Sequence, residues 1–178
     1  QTLVPGDIAF VGYQTGSPNG DGFSFITLKE IPAGTAIYFT EKGWDVSAVS
    51  FHKVMRVAWE KDCMNEWGSI VALSYMAAQR VFPDYNDMAD NKAYLESIAR
   101  SFGYFFGRDK KVRVNTISQS PTPTTAGQGV KGFDGFIAYA DKMSPLGNAT
   151  ALDCANYTVA MFSDLTKRVT LQNLYNDG

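Results

Sequence analysis

Residues 6–44 read GDIAFVGYQTGSPNGDGFSFITLKEIPAGTAIYFTEKGW. Asp7 to Gln14 puts Ile8 and Phe10 in one phase and Ala9, Val11 and Tyr13 in the other, the pattern of a strand covered on both sides. The following Ser17-Pro18-Asn19-Gly20-Asp21-Gly22 holds an Asn-Gly and an Asp-Gly step, pairs that accept the positive φ angles of tight hairpin loops. Phe23 to Lys29 continues as a strand, and its slip of phase between Phe25 and Ile26 predicts a bulge or a doubly buried centre. Ile31-Pro32-Ala33-Gly34 supplies a second turn, and Ala36 to Thr40 is a third strand rich in β-branched and aromatic residues. Strand, hairpin, strand, turn, strand is a β-meander.

Further segments extend that reading. Lys53 to Glu60 alternates, with Met55, Val57 and Trp59 on one side and Arg56 and Glu60 on the other, and reads as a half-solvated strand. Ser69 to Tyr75 and Lys111 to Ile117 are strands, the second with Val112 and Val114 inward and Arg113 and Asn115 outward. Phe136 to Ala140, Tyr157 to Phe162 and Lys167 to Leu174 are read the same way. Asp87 to Phe102 alone has helical spacing, in Leu95, Ile98, Ala99 and Phe102, with Asp87 or Asp90 as N-cap and Gly103 just past the end. The expectation is a mainly β fold over residues 1–178. It is a two-layer antiparallel β-sandwich of about eight or nine strands, with one α-helix inserted at about residues 87–102.

The pattern GDIAFxGY, DGFSFxxLxxIPAGTxIYFT and xxGW resembles the opening of a domain of secreted bacterial surface proteins of the Bacteroidetes type. The strand ending in Trp59, the GFIAY of residues 135–139 and the YTVAMF of residues 157–162 resemble its later pieces. That resemblance implies an extracellular β-sandwich attached to adhesins, fibres or exported enzymes. Glu41-Lys42 departs from the Asp-Asn common there.

Composition narrows the classes. The 178 residues carry 16 basic and 18 acidic side chains without a basic block, which argues against nucleic-acid binding. No apolar run approaches the ~20 residues of a membrane span. A start on Gln1 reads as a mature N-terminus exposed by signal-peptide removal, against a trimmed chain, and points to secretion. Cys63 and Cys154 permit one intramolecular disulfide, closing a loop of about 90 residues, against two free thiols. Asn148-Ala149-Thr150 and Asn156-Tyr157-Thr158 are N-glycosylation sequons, relevant in a eukaryotic host.

No catalytic or metal site emerges, and no cofactor is implied. His52 is the single histidine and reads as a surface residue. The sequence holds no Gly-x-Ser-x-Gly elbow. Asn19, Asp21, Asp84, Asn86, Asp87 and Asp90 are turn or cap residues before they are calcium ligands. The contact aromatics are Trp44, Trp67, Tyr104, Phe105 and Phe106. Three functions stay open: a structural or adhesive module that self-associates as an oligomer or filament, a carbohydrate-binding module for surface glycans, and an accessory domain of an exported hydrolase.

Overall fold

The computed structural model describes residues 8–14, 22–27, 47–83, 85–123 and 132–178. The chain runs β1 (Ile8–Gln14), β2 (Gly22–Thr27), α1 (Ser47–Glu60), β3 (Ser69–Ser74), α2 (Asn86–Lys110), β4 (Arg113–Gln119), α3 (Phe133–Met143), α4 (Ala151–Phe162) and β5 (Asn173–Asn176). Short 3₁₀ turns lie at Met76–Ala78 and Asp164–Thr166.

β1 and β2 form the antiparallel pair expected, with the irregularity in β1 between Phe10 and Gly12 rather than in its partner. The third meander strand, residues 36–40, lies outside the described residues. Beyond the hairpin the expected sandwich is not formed. β3, β4 and β5 make a second sheet in which both neighbouring pairs are parallel. Parallel strands need long crossovers, and helices supply them: α2 between β3 and β4, α3 and α4 between β4 and β5.

The helices cover both faces of this sheet. Val112 and Val114 join Ala48 and Met55 of α1 and Leu95, Ile98, Ala99 and Phe106 of α2 in the apolar core. Arg113, one residue over and therefore on the opposite face, donates through Nη1 to the carbonyl of Met161 in α4. The arrangement is a doubly wound α/β layer structure. It also corrects the expectation that Arg113 and Asn115 point to water, since both are buried. Asn115 Nδ2 donates to the Val169 carbonyl at 2.9 Å, and its Oδ1 accepts from the Gln172 N–H at 3.1 Å.

Three expected strands are helices. Residues 53–60 belong to α1, whose core contacts Ala48, Phe51, Met55 and Ala58 recur at spacings of three and four. Residues 136–140 lie in α3 and 157–162 in α4. α4 opens with a capping box: Thr150 Oγ1 accepts from the Asp153 N–H, and the Asp153 carboxylate accepts from the Thr150 N–H at 2.8 Å. Bonds from the Thr150 hydroxyl, at 2.6 Å, and then from the Thr150 N–H hold the Asp153 carboxyl below the usual carboxylate range.

α2 is the expected helix, but it starts one residue earlier and runs on through Gly103 to Lys110. Its N-cap is Tyr85, not Asp87 or Asp90, and it ends at Lys111, whose left-handed backbone (φ 59°) returns its N–H to Gly107 and Phe106. Gly103 serves packing rather than termination. A β-carbon there would stand 2.5 Å from Leu171 Cδ2 and 3.0 Å from Val114 Cβ, so α2 lies too close to the sheet for a side chain. We therefore expect Gly103→Ala to destabilise the fold. The helix-propensity gain of about 1 kcal/mol is outweighed by overpacking of about 1–3 kcal/mol against a stiff β-branched neighbour. Gly107→Ala, which meets only the Val112 carbonyl at 3.5 Å, is the control and should be neutral or stabilising in denaturant titrations.

Candidate active site at the strand ends

In open parallel sheets the crevice beyond the carboxyl ends of the strands is where ligands bind. Here those ends deliver Ser74 as the last residue of β3 and Tyr75 just after it, Ser118 near the end of β4 and Ser120 just past it, and Asp177 after β5. Tyr75 begins the 3₁₀ turn, and its carbonyl accepts from the Ala78 N–H at 2.9 Å. The chain then passes Phe82 and enters α2 at Tyr85, whose carbonyl accepts the first helical bond from Ala89.

Four aromatic rings converge. Tyr75 stands 5.4 Å from Tyr85, edge to face, and 5.5 Å from Phe82. Phe136 of α3 closes the cluster at 6.1 Å from both Phe82 and Tyr85. The phenols are the polar members of an otherwise apolar group. Burial, with the nearby Tyr85 and Asp177 adding to it, pushes the Tyr75 phenol up to about 12. Burial likewise raises Tyr85. Both are therefore neutral O–H donors at physiological pH and not phenolate bases.

Tyr85 and Lys92 are seven residues apart, two turns along one face of the same helix. Lys92 Nζ donates to the Leu73 carbonyl at 2.8 Å, which fixes this face of α2 against the end of β3. Next to β4, Ser118 and Ser120 are buried with hydroxyls that meet no partner among the described residues, and so is Asn148 Oδ1. Two phenol donors, an ammonium and unpaired hydroxyls beside apolar rings suit a planar, carbonyl-bearing ligand.

A family profile described as Enoyl-(Acyl carrier protein) reductase matches residues 33–178. The chain belongs to that family. It is 31% identical over 135 residues to the enoyl-[acyl-carrier-protein] reductase [NADH] FabI of Bacillus subtilis, covering 75% of this chain and 51% of that protein. To the Escherichia coli FabI it is 33% identical over 138 residues, covering 75% and 50%. Among solved structures it matches the FabI–NADH complex of Alistipes finegoldii at 66% identity with a TM-score of 0.74, over 76% of this chain and 48% of that one. The chain spans about half the length of the curated relatives it matches, and residues 1–32 lie outside the matched range.

Family membership overturns the resemblance to a secreted surface domain. The later pieces that supported it, up to Trp59, in GFIAY and in YTVAMF, are helices of the reductase family's region. With it go the extracellular localisation, the adhesive, filament-forming and glycan-binding readings, and the non-catalytic assignment, since the relatives are named as enzymes.

None of the site residues singled out from sequence is one of the four clustered rings. Cys63, exposed after α1, and Cys154, on α4, are free thiols, so the expected disulfide is not formed. Burial raises the Cys154 thiol. Asn148 uses its amide nitrogen to donate to the Pro121 carbonyl at 2.8 Å, and Asn156 sits inside α4. Trp67 packs its ring under Lys167 and Arg168. Phe106 is buried beside Trp59, while Tyr104 and Phe105 remain exposed on α2. Trp44, Asn19, Asp21 and Asp84 lie outside the described residues. Asn86, Asp87 and Asp90 occupy the first turns of α2. His52 is on α1, edge-on to Phe102 at 5.2 Å, in the packing between helices. No helix among the described residues is long and apolar enough to cross a membrane.

Tyr75, Tyr85 and Lys92 escaped the sequence reading. The available signal was a tyrosine two helical turns ahead of a lysine, at a helix start just after an apolar strand.

Proposed function

We propose that the chain carries the carbonyl-activating side of an NADH-dependent reductase acting on 2-enoyl thioesters, the acyl group borne by acyl carrier protein as the relatives' names indicate. The observation that carries this reading is the pair of half-buried, proton-bearing phenols, Tyr75 and Tyr85, set edge to face beyond β3.

The chemistry asks for a donor aimed at the thioester carbonyl. A hydrogen bond from the Tyr85 phenol to that oxygen withdraws electron density through the conjugated double bond and leaves C3 electrophilic. Negative charge that develops on the oxygen is held by the Tyr85 and Tyr75 O–H groups, in a site whose rings exclude water. Lys92, on the Tyr85 face of α2, adds a fixed positive charge. The proton taken up at C2 balances the reduction to the saturated thioester.

Bound NADH supplies the hydride. The unpaired Ser118 and Ser120 hydroxyls, with Lys92, fit its nicotinamide and ribose end.

The test is loss of NADH absorbance on mixing the purified full chain with a short 2-enoyl thioester. Oxidation of NADH that requires the double bond, and is absent with the saturated thioester, is the expected result. A folded chain that binds the thioester without consuming NADH would overturn the proposal.

A further inference from the structure

Glu96 is a carboxylate on α2 with only 3% of its surface exposed, and the chemistry above makes no use of it. Its two oxygens serve two different places on the chain. Oε1 accepts from Ser74 Oγ at 2.6 Å and Oε2 from Gln79 Nε2 at 3.1 Å. Ser74 is the last residue of β3 and Gln79 follows the 3₁₀ turn, so one carboxylate clips both ends of the segment that holds Tyr75. Arg100 Nη1, at 3.9 Å from Oε2, supplies the counter-charge. Gln79 Oε1 in turn accepts from the Tyr175 hydroxyl at 3.1 Å, which ties the same clip to β5. Lys92, one helical turn ahead of Glu96, binds the Leu73 carbonyl, so successive turns of α2 grip successive residues of β3.

We propose that Glu96 is the positioning residue of this site: by binding Ser74 and Gln79 together it fixes the Tyr75 turn, and so sets the Tyr75 phenol against Tyr85. A buried carboxylate would be costly to hold without full hydrogen bonding, and an apolar residue would fill the same space. Its donors lie on either side of one functional turn rather than scattered through the core, which is why we assign it to geometry. A local rigid clip is what a donor requires if it is to meet an oxygen within a fraction of an ångström.

The inference rests on the proposed reductase reading for its kinetic consequence, but not for its structural one. The experiment compares Glu96→Ala, Glu96→Gln and Gln79→Ala in the full chain. The Tyr75 phenol is titrated by NMR of ring-labelled tyrosine, with its signal assigned through Tyr75→Phe. In Glu96→Ala and Gln79→Ala the Tyr75 ionisation is expected to fall from about 12 toward the ordinary tyrosine value near 10, while Tyr85 stays raised. Glu96→Gln, which keeps the Ser74 bond and can pair with a turned Gln79 amide, should restore most of the shift. Turnover of an enoyl thioester should drop roughly ten- to hundredfold in the alanine variants with the KM for NADH unchanged. Gln79 is exposed, so Gln79→Ala decides the matter even if Glu96→Ala does not fold. An unaltered Tyr75 titration in Gln79→Ala would overturn the positioning role. Altered titration in a chain that does not oxidise NADH would leave Glu96 as the clip and remove the reductase reading instead.

Discussion

Replacing Tyr85 by phenylalanine should lower turnover on a 2-enoyl thioester by about 10²- to 10⁴-fold, the range for removing a positioned proton donor, with little change in the melting curve. The ring of Tyr85 carries the packing, edge to face with Tyr75 at 5.4 Å and against Phe136 at 6.1 Å, and phenylalanine keeps it. Only the O–H is lost. Tyr75→Phe should cost less, about 10²-fold, as the second of two donors to one oxygen. The double variant should be no worse than the product of the two.

The pH dependence follows from the same burial. A phenol raised above its ordinary value of about 10 keeps its proton in the folded chain while the unfolded chain gives it up. Its burial therefore contributes stability below pH ~10, and that contribution is lost as pH climbs toward about 12 for Tyr75. Activity carried by neutral phenols should likewise show no tyrosine-type loss at or below pH ~10. A phenolate mechanism would instead show rates rising through that range, and such a profile would count against the donors' proposed role.

β3 and β4 were legible as strands, but their parallel pairing and the helical layers over them were not. Residues 69–75 and 111–117 read as strands because Ile70, Val71 and Val112, Val114 and Ile117 supply dense β-branched content, and the strands observed are 69–74 and 113–119. α2 was legible because Leu95, Ile98 and Ala99 recur at helical spacing. α1 failed for a physical reason. Met55, Val57 and Trp59 alternate, and an eight-residue window starting at Lys53 cannot tell period two from period 3.6. Extended back to Ala48 and Phe51, the core positions fall at helical intervals and the alternation dissolves. In α4 the short window Tyr157 to Phe162 hid a start signal that was present in Thr150 and Asp153. Once those segments are helices, strands alternate with helices, and parallel pairing follows from the length of the crossovers. The spacing of Tyr85 and Lys92 along α2 was readable, but Tyr75 and Ser118 join them only through that topology. A tyrosine after an apolar strand announces nothing until the strand is known to end at a crevice.

Arg113 is where stability should be most exposed to a single change. At the start of β4, with 3% of its surface exposed, it reaches the face opposite the main apolar cluster. Its Nη1 donates to the Met161 carbonyl at 3.1 Å, the Thr166 carbonyl at 2.9 Å and Thr166 Oγ1 at 2.7 Å. Met161 stands in the last turn of α4, where carbonyls lack helical partners and the negative end of the helix dipole favours a cation. Ser69 Oγ shares that carbonyl at 3.0 Å, so β3 and β4 are both tied to the helix end. Arg113→Ala should therefore destabilise the chain by about 3–5 kcal/mol, combining lost charged hydrogen bonds, orphaned carbonyls and a cavity. The guanidinium is not fully satisfied, however. Its Nε and Nη2 find no partner among the described residues, and burial draws its pKa down against the pull of Asp164. Arg113→Met, which fills the volume and removes those unpaired donors, should accordingly lose less than Arg113→Ala, about half as much. Arg113→Lys, whose single ammonium cannot span the same acceptors, should fall near the methionine variant. Denaturant midpoints for the three settle which feature matters. If methionine and alanine are equally damaging, charge at the helix end is what holds α4 to the sheet; if methionine matches the parent, the arginine serves chiefly to fill space.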